Sequence, residues 1–151
     1  MDSLHYGNLL LYFHYAWDKD ISMVQILQHL CSMNILVVDD NELILYSLTR
    51  MISHYRADVA VASNAYDAII KINSNHYDIC FLELQLPDAS GLEVIKMIKE
   101  SSPDTRTIIM TSPPINDDSK KLIEKWEYQV ITKPFDLAEI KNVLNSAVVQ
   151  G

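Results

Sequence analysis

Residues 77–95 read "YDICFLELQLPDASGLEVI". The first half holds a short apolar run, "DICFLE" (78–83), with one carboxylate, Glu83, where the run stops. Such a run fits a strand buried on both faces of a parallel sheet. The second half reads as a loop opening a helix. Ser90 and Glu93 stand at capping-box spacing, and Leu92, Ile95 and Ile98 supply a buried stripe.

The same step recurs on either side. "NILVVDD" (34–40) is a continuous apolar run ending in acids, followed by a helical stripe of Ile44, Leu48, Met51, Ile52 and Tyr55. "DVAVAS" (58–63) predicts a second strand, and Ala65, Ala68, Ile69 and Ile72 a second helix. "TIIMTS" (107–112) and "YQVITK" (128–133) predict two more strands. Leu122, Ile123 and Trp126 mark the helix between them. Asp136 is placed to cap a last helix, with Glu139 three residues on and a stripe of Leu137, Ile140, Leu144, Ala147 and Val148. Five strands alternating strictly with five helices predict an α/β fold: one parallel sheet, helices on both faces, right-handed crossovers.

Composition narrows the function classes. The chain has 151 residues, 49% of them hydrophobic, which suits one domain with a substantial core. A formal net charge of −8 argues against nucleic acid and against anionic membrane surfaces, both of which require clustered Lys and Arg. Cys31 and Cys80 have neither metal nor disulfide-framework spacing, and a reducing cytoplasm is the simplest compartment. The apolar stretch "LLLYFHYAW" (9–17) is too short to span a bilayer and lacks the flanks of a signal peptide. Residues 1–33 stand outside the alternation. Ile21, Val24, Leu27 and Leu30 recur at helical spacing, so this part reads as a helical N-terminal extension ahead of a domain at 34–151. The competing readings are a disordered extension and an upstream start codon ahead of Met33.

Ligands of open parallel sheets bind beyond the carboxyl ends of the strands. At those ends stand Asp39 and Asp40, Glu83, Thr111 and Ser112, and Lys133. Singly, each has a bland reading: a cap, a solvated acid, a strand threonine, a surface lysine. Together they place three carboxylates, two hydroxyls and an ammonium on one edge of the sheet.

With "ILVVDDN" (35–41), "ELQLPDASGLEVI" (83–95), "IIMTS" (108–112) and "ITKPF" (131–135) in this order, region 34–150 resembles the receiver domain of two-component response regulators. The resemblance implies a flavodoxin-like sheet of order 2-1-3-4-5, in which Asp39, Asp40 and Glu83 face one another at the topological switch point. It implies phosphoryl transfer from a histidine kinase, with Glu83 at the acceptor position, four residues before Pro87. Asp40 would bind Mg²⁺ directly, Asp39 would do so through water, and the Gln85 carbonyl would complete the protein ligands. Thr111 and Lys133 would contact the phosphoryl group, and the Lys133–Pro134 bond is often cis in the family.

Three features depart from the family pattern. The acceptor is glutamate where the family has aspartate. The aromatic switch position, three before the lysine, is Val130, with Tyr128 further upstream. Pro113 and Pro114 stiffen a loop that usually moves. Two carboxylates about 5 Å apart repel by roughly 3 kcal/mol at an effective dielectric near 20, so the site needs a cation. Glutamate carries its charge one methylene further out, toward Thr111 and Lys133, where a phosphoryl group would put it.

The leading expectation is therefore a stand-alone receiver, not an enzyme, that signals without phosphorylation by docking to a histidine kinase, another signalling protein or a second copy. A conventional Mg²⁺-dependent phosphoacceptor is one alternative. Another is a flavodoxin-like nucleotide- or flavin-binding domain, which the acids of "VDDNEL" disfavour. A purely structural interaction domain is the last.

Overall fold

The computed structural model describes residues 32–148; of the helical extension expected over residues 1–33, all but the last two residues lie outside them, and Met33 opens the first strand. Five parallel strands form one sheet in the order β2-β1-β3-β4-β5. They are β1 (Met33–Val38), β2 (Ala57–Ala62), β3 (Ile79–Glu83), β4 (Arg106–Thr111) and β5 (Gln129–Thr132). The helices between and after them are α1 (Glu42–Ile52), α2 (Ala65–Ser74), α3 (Gly91–Ser101), α4 (Asp117–Trp126) and α5 (Leu137–Val148). The α/β fold and its strand order are as expected.

β1 and β3 carry near-unbroken apolar runs because they lie inside the sheet with helices above and below. One face packs Ile35, Val37, Phe81, Ile108 and Met110 against Leu48 and Ile52 of α1 and Ile140, Val143 and Leu144 of α5. The other packs Leu36, Val38, Cys80, Leu82 and Ile109 against α2 and α3, with Ile123 and Trp126 of α4 half-buried on it. Side chains alternate between the two clusters along each strand, as the two-residue period of a strand requires.

Caps start the helices. Asn41 accepts from Leu43 N, Asn64 from Asp67 N and Asn116 from Ser119 N. At α5 the capping box closes fully: Asp136 Oδ1 accepts from Glu139 N at 2.9 Å, and Glu139 Oε2 accepts from Asp136 N at 2.9 Å. The box expected at Ser90 and Glu93 does not form that way. Ser90 is the N-cap, but its hydroxyl accepts from Leu92 N, and Glu93 N donates to the Ser90 carbonyl.

Two stripe residues differ from expectation. Leu137 is 41% exposed, while Val143, absent from the expected stripe, is fully buried. At about 100° per residue, Leu137 lies about 60° to one side of Ile140 and Val143 about 60° to the other. The buried arc runs from Val143 through Ile140 to Leu144, and Leu137 lies beyond its edge. Tyr55 follows the end of α1 but still packs on the core, and the side chain of Val148 lies outside the described residues.

Candidate functional site

The topology brings the strand-end acids together. β1 and β3 are neighbours, so Asp39 just past β1 stands beside Glu83 at the end of β3. Lys133 follows β5, and its backbone N–H donates to the Thr111 carbonyl at 2.8 Å. From there the side chain must cross β4 to reach β3, about 10 Å at ordinary strand spacing. The four-carbon stem of the lysine and the Glu83 side chain close that gap. Lys133 Nζ donates to Glu83 Oε2 at 2.6 Å and to Asp39 Oδ2 at 2.5 Å.

The remaining oxygens are also engaged. Asp39 Oδ1 accepts from Asn41 N at 2.9 Å, and Glu83 Oε1 accepts from Gln85 N at 2.9 Å. Asp39 and Glu83 are buried, and a buried carboxylate is tolerable only with a counter-charge and satisfied lone pairs. Burial alone would depress the Lys133 ammonium. Hydrogen bonds and charges from Asp39 and Glu83 outweigh it and hold that pKa above the ordinary lysine value.

The other expected residues are placed as follows. Thr111 is buried at the end of β4, and its hydroxyl reaches only the Ser112 carbonyl, at 3.5 Å. Asp40 is exposed in the loop after β1, and Gln85 is exposed in the loop after β3. Lys133–Pro134 is cis, and so is Pro113–Pro114. Asp39, Glu83 and Lys133 thus form one bonded triad, with Asp40 and Thr111 outside its hydrogen bonds. Among the described residues, no three His, Cys, Asp or Glu side chains gather into a metal-binding group. The donors suit Mg²⁺ in kind, being carboxylate and carbonyl oxygens. As arranged, the Glu83 and Asp39 carboxylates surround an ammonium.

Two residues of the site loop were missed by sequence reasoning. Asp88 accepts from Ala65 N at 2.8 Å and Tyr66 N at 2.9 Å, tying the loop after β3 to the start of α2. Nothing local in the sequence signals a contact 22 or 23 residues away. Gly91 packs so closely that a Cβ there would lie 2.5 Å from the Glu83 carbonyl oxygen. A glycine directly after an N-cap was the available hint.

Residues 35–145 match the response regulator receiver domain family. The chain belongs to that family. It is 32% identical over 118 residues to hybrid signal transduction histidine kinase L of Dictyostelium discoideum, covering 73% of this chain and 7% of that one. It is 35% identical over 107 residues to the transcriptional regulatory protein TrcR of Mycobacterium tuberculosis, covering 70% of this chain and 41% of that one. The receiver chain therefore spans less than half the length of these curated relatives. Among solved structures, the signal receiver domain of an HD domain-containing protein from Pseudomonas fluorescens Pf-5 superposes with a TM-score of 0.72 at 27% identity, covering 79% of this chain and 96% of that one. The response regulator TrrA of Thermotoga maritima, solved in complex with Mg²⁺-BeF, gives 0.65 at 27% identity, covering 76% and 98%. The domain is a response-regulator receiver of two-component signalling. No helix among its described residues is long and apolar enough to cross a membrane.

Proposed function

We propose that this receiver signals by protein contact without a phosphorylation cycle, held near one conformation by the Glu83–Lys133 pair. The carrying observation is Glu83 at the acceptor position with both carboxylate oxygens engaged, one by Lys133 and one by Gln85 N. In-line attack on phosphorus requires an oxygen held in place, and a misplacement of about 1 Å costs on the order of a hundredfold in rate. Glu83 places its nucleophilic oxygen one methylene away from where an aspartate would. Its charge already meets the lysine that a phosphoryl group would otherwise pair with.

Asp40, Glu83 and the Gln85 carbonyl are the residues that would hold Mg²⁺. The ion would supply charge neutralisation for an incoming phosphoryl group. We read the domain as a docking partner rather than a catalyst. It works in the cytoplasm with a histidine kinase or another signalling protein, and the acidic surface keeps nucleic acid off the domain itself.

Retention of Asp39, Asp40, Thr111 and Lys133 favours one other reading, a conventional Mg²⁺-dependent phosphoacceptor. Acetyl phosphate and Mg²⁺, followed by intact-mass measurement, separate the two. The proposal expects no stoichiometric acyl phosphate on wild-type protein and its appearance on Glu83→Asp. Stable labelling of Glu83 itself would overturn it.

A further inference from the structure

Helix α4 ends at Trp126, and the next residue, Glu127, takes a left-handed backbone with φ 52° and ψ 36°. Among the described residues, no other residue besides glycine has a positive φ. The Glu127 N–H is shared between the Glu124 and Ile123 carbonyls, and Tyr128 N–H donates to the Ile123 carbonyl at 3.2 Å. Helices stopped by such bonds ordinarily carry glycine at the left-handed position. A glutamate there is strained, because its Cβ crowds the backbone, and it persists only where the surroundings hold it. The group in place to do so is Lys99, in the last turn of α3. Its ammonium lies 4.3 Å from the centre of the Trp126 ring and 5.7 Å from that of the Tyr128 ring. The two rings meet edge to face, with centres 5.8 Å apart. We propose that Lys99, Trp126 and Tyr128 form a latch that holds the strained end of α4 against α3, and that its release lets α4 lengthen into the link to β5.

A cation within about 6 Å of an aromatic ring is attracted by the ring's quadrupole. Among the described residues, no carboxylate forms an ion pair with Lys99, so the rings are its partners. Trp126 and Tyr128 stand on either side of Glu127 in the chain, so one ammonium fixes the residues before and after the strained one. Both rings also pack half-buried on the core cluster of this face. The link from α4 to β5 is only Glu127 and Tyr128, so a change at Glu127 passes directly to the first residue of β5. In the released form Glu127 returns to the right-handed region. Tyr128 N–H then moves from the Ile123 carbonyl to that of Glu124, its regular helical partner. Strain at Glu127 favours release and the cation opposes it, which makes this helix end a two-state element. The latch shares no residue with the Asp39–Glu83–Lys133 triad, and it goes beyond the reading of Glu83 given above.

The test is saturation-transfer and relaxation-dispersion NMR on the isotopically labelled full chain, which reads minor states exchanging with the main one. A minor state with right-handed helical shifts at Glu127 and Tyr128 is expected. Lys99→Gln removes the charge and keeps most of the stem. It should raise the minor population about two- to fivefold, the weight of one exposed cation–π pair. Lys99→Arg keeps the cation and should stay within about twofold of wild type. Glu127→Gly relieves the strain and should remove the minor state, also in the Lys99→Gln background. Lys99 sits at the end of α3 as well, where a cation favours the helix terminus. A role confined to that terminus would instead disturb Ser101 and Ser102, whose N–H donates to the Ile98 carbonyl. Three results would overturn the latch: no minor state at Glu127 and Tyr128 in Lys99→Gln, changes confined to Ser101 and Ser102, or a minor state that survives Glu127→Gly. Acetyl phosphate labelling of Glu83 bears on the proposed function alone, so the two fail separately.

Discussion

Lys133 Nζ lies 2.6 Å from Glu83 Oε2, and the same ammonium also holds the fully buried Asp39. Residues from three strand ends are thereby tied through one charge. Removing the ammonium strands two buried carboxylates. Lys133→Met should destabilise the domain by about 3–5 kcal/mol, the range for breaking a buried ion pair from one side. Urea denaturation of wild type and variant measures it. A loss below about 1 kcal/mol would mean that solvent reaches the triad and screens it.

The same contact sets an alkaline limit. The Lys133 pKa is raised in the folded protein: burial works against the ammonium, and the bonds to Asp39 and Glu83 more than reverse that. A raised pKa means that the folded state keeps its proton longer than the unfolded chain does. The contribution to stability is therefore complete below the ordinary lysine value of about 10.4 and is lost as pH rises through the raised value. Burial also raises Tyr77, Tyr128 and Cys80, the last to about 12, so these groups act in the same direction. The part due to Lys133 is the difference between wild type and Lys133→Met. Urea midpoints of wild type should fall more steeply than those of the variant above pH about 10.4. Parallel curves would remove Lys133 as the cause.

Gly91 fixes the loop that follows Glu83. Its N–H donates to the Leu84 carbonyl at 2.8 Å. A Cβ at this position would meet the Glu83 oxygen at 2.5 Å and Leu84 Cα at 2.8 Å. Both obstacles are backbone, so no flexible side-chain tip can swing aside. Gly91→Ala should cost about 1–3 kcal/mol, as overpacking does, and displace Glu83 from Lys133. A crystal structure of the variant with the Glu83–Lys133 contact intact and stability unchanged would refute this.

The sheet was legible because its strands are short apolar runs between helices of clear period, and a parallel sheet buried on both faces writes itself that way. The strand-end polar residues followed from the same runs, since each marks where an apolar run stops. Three things were harder to see. The α5 stripe was centred too far toward Leu137, because Leu137 and Val143 flank Ile140 symmetrically and only the sheet decides between them. The full engagement of Glu83 depends on reach across β4, which no local pattern records. A cleft beside Thr111 arises between two loops that are distant in the chain and irregular in sequence.

Asp88 is the other long-range contact, and it bears on how the site loop is held. Its two oxygens accept from the first two amides of α2, which have no partner inside the helix. Those backbone N–H groups hold the Asp88 carboxyl below its ordinary pKa. A depressed pKa gives stability that is present above the unfolded value of about 3.9 and is lost as pH falls through the folded one. Asp88→Ala should speed hydrogen exchange at Ala65 and Tyr66, while Asp88→Asn, keeping one acceptor oxygen, should restore part of the protection. The gap between wild type and Asp88→Ala should close as the solution is acidified below the folded pKa. Because Asp88 and Gln85 share one loop, loosening this clamp should also shift the amide resonance of Gln85, which donates to Glu83. If Ala65 and Tyr66 exchange faster while Gln85 stays put, the clamp serves α2 alone and the site is held by Gly91 and Lys133.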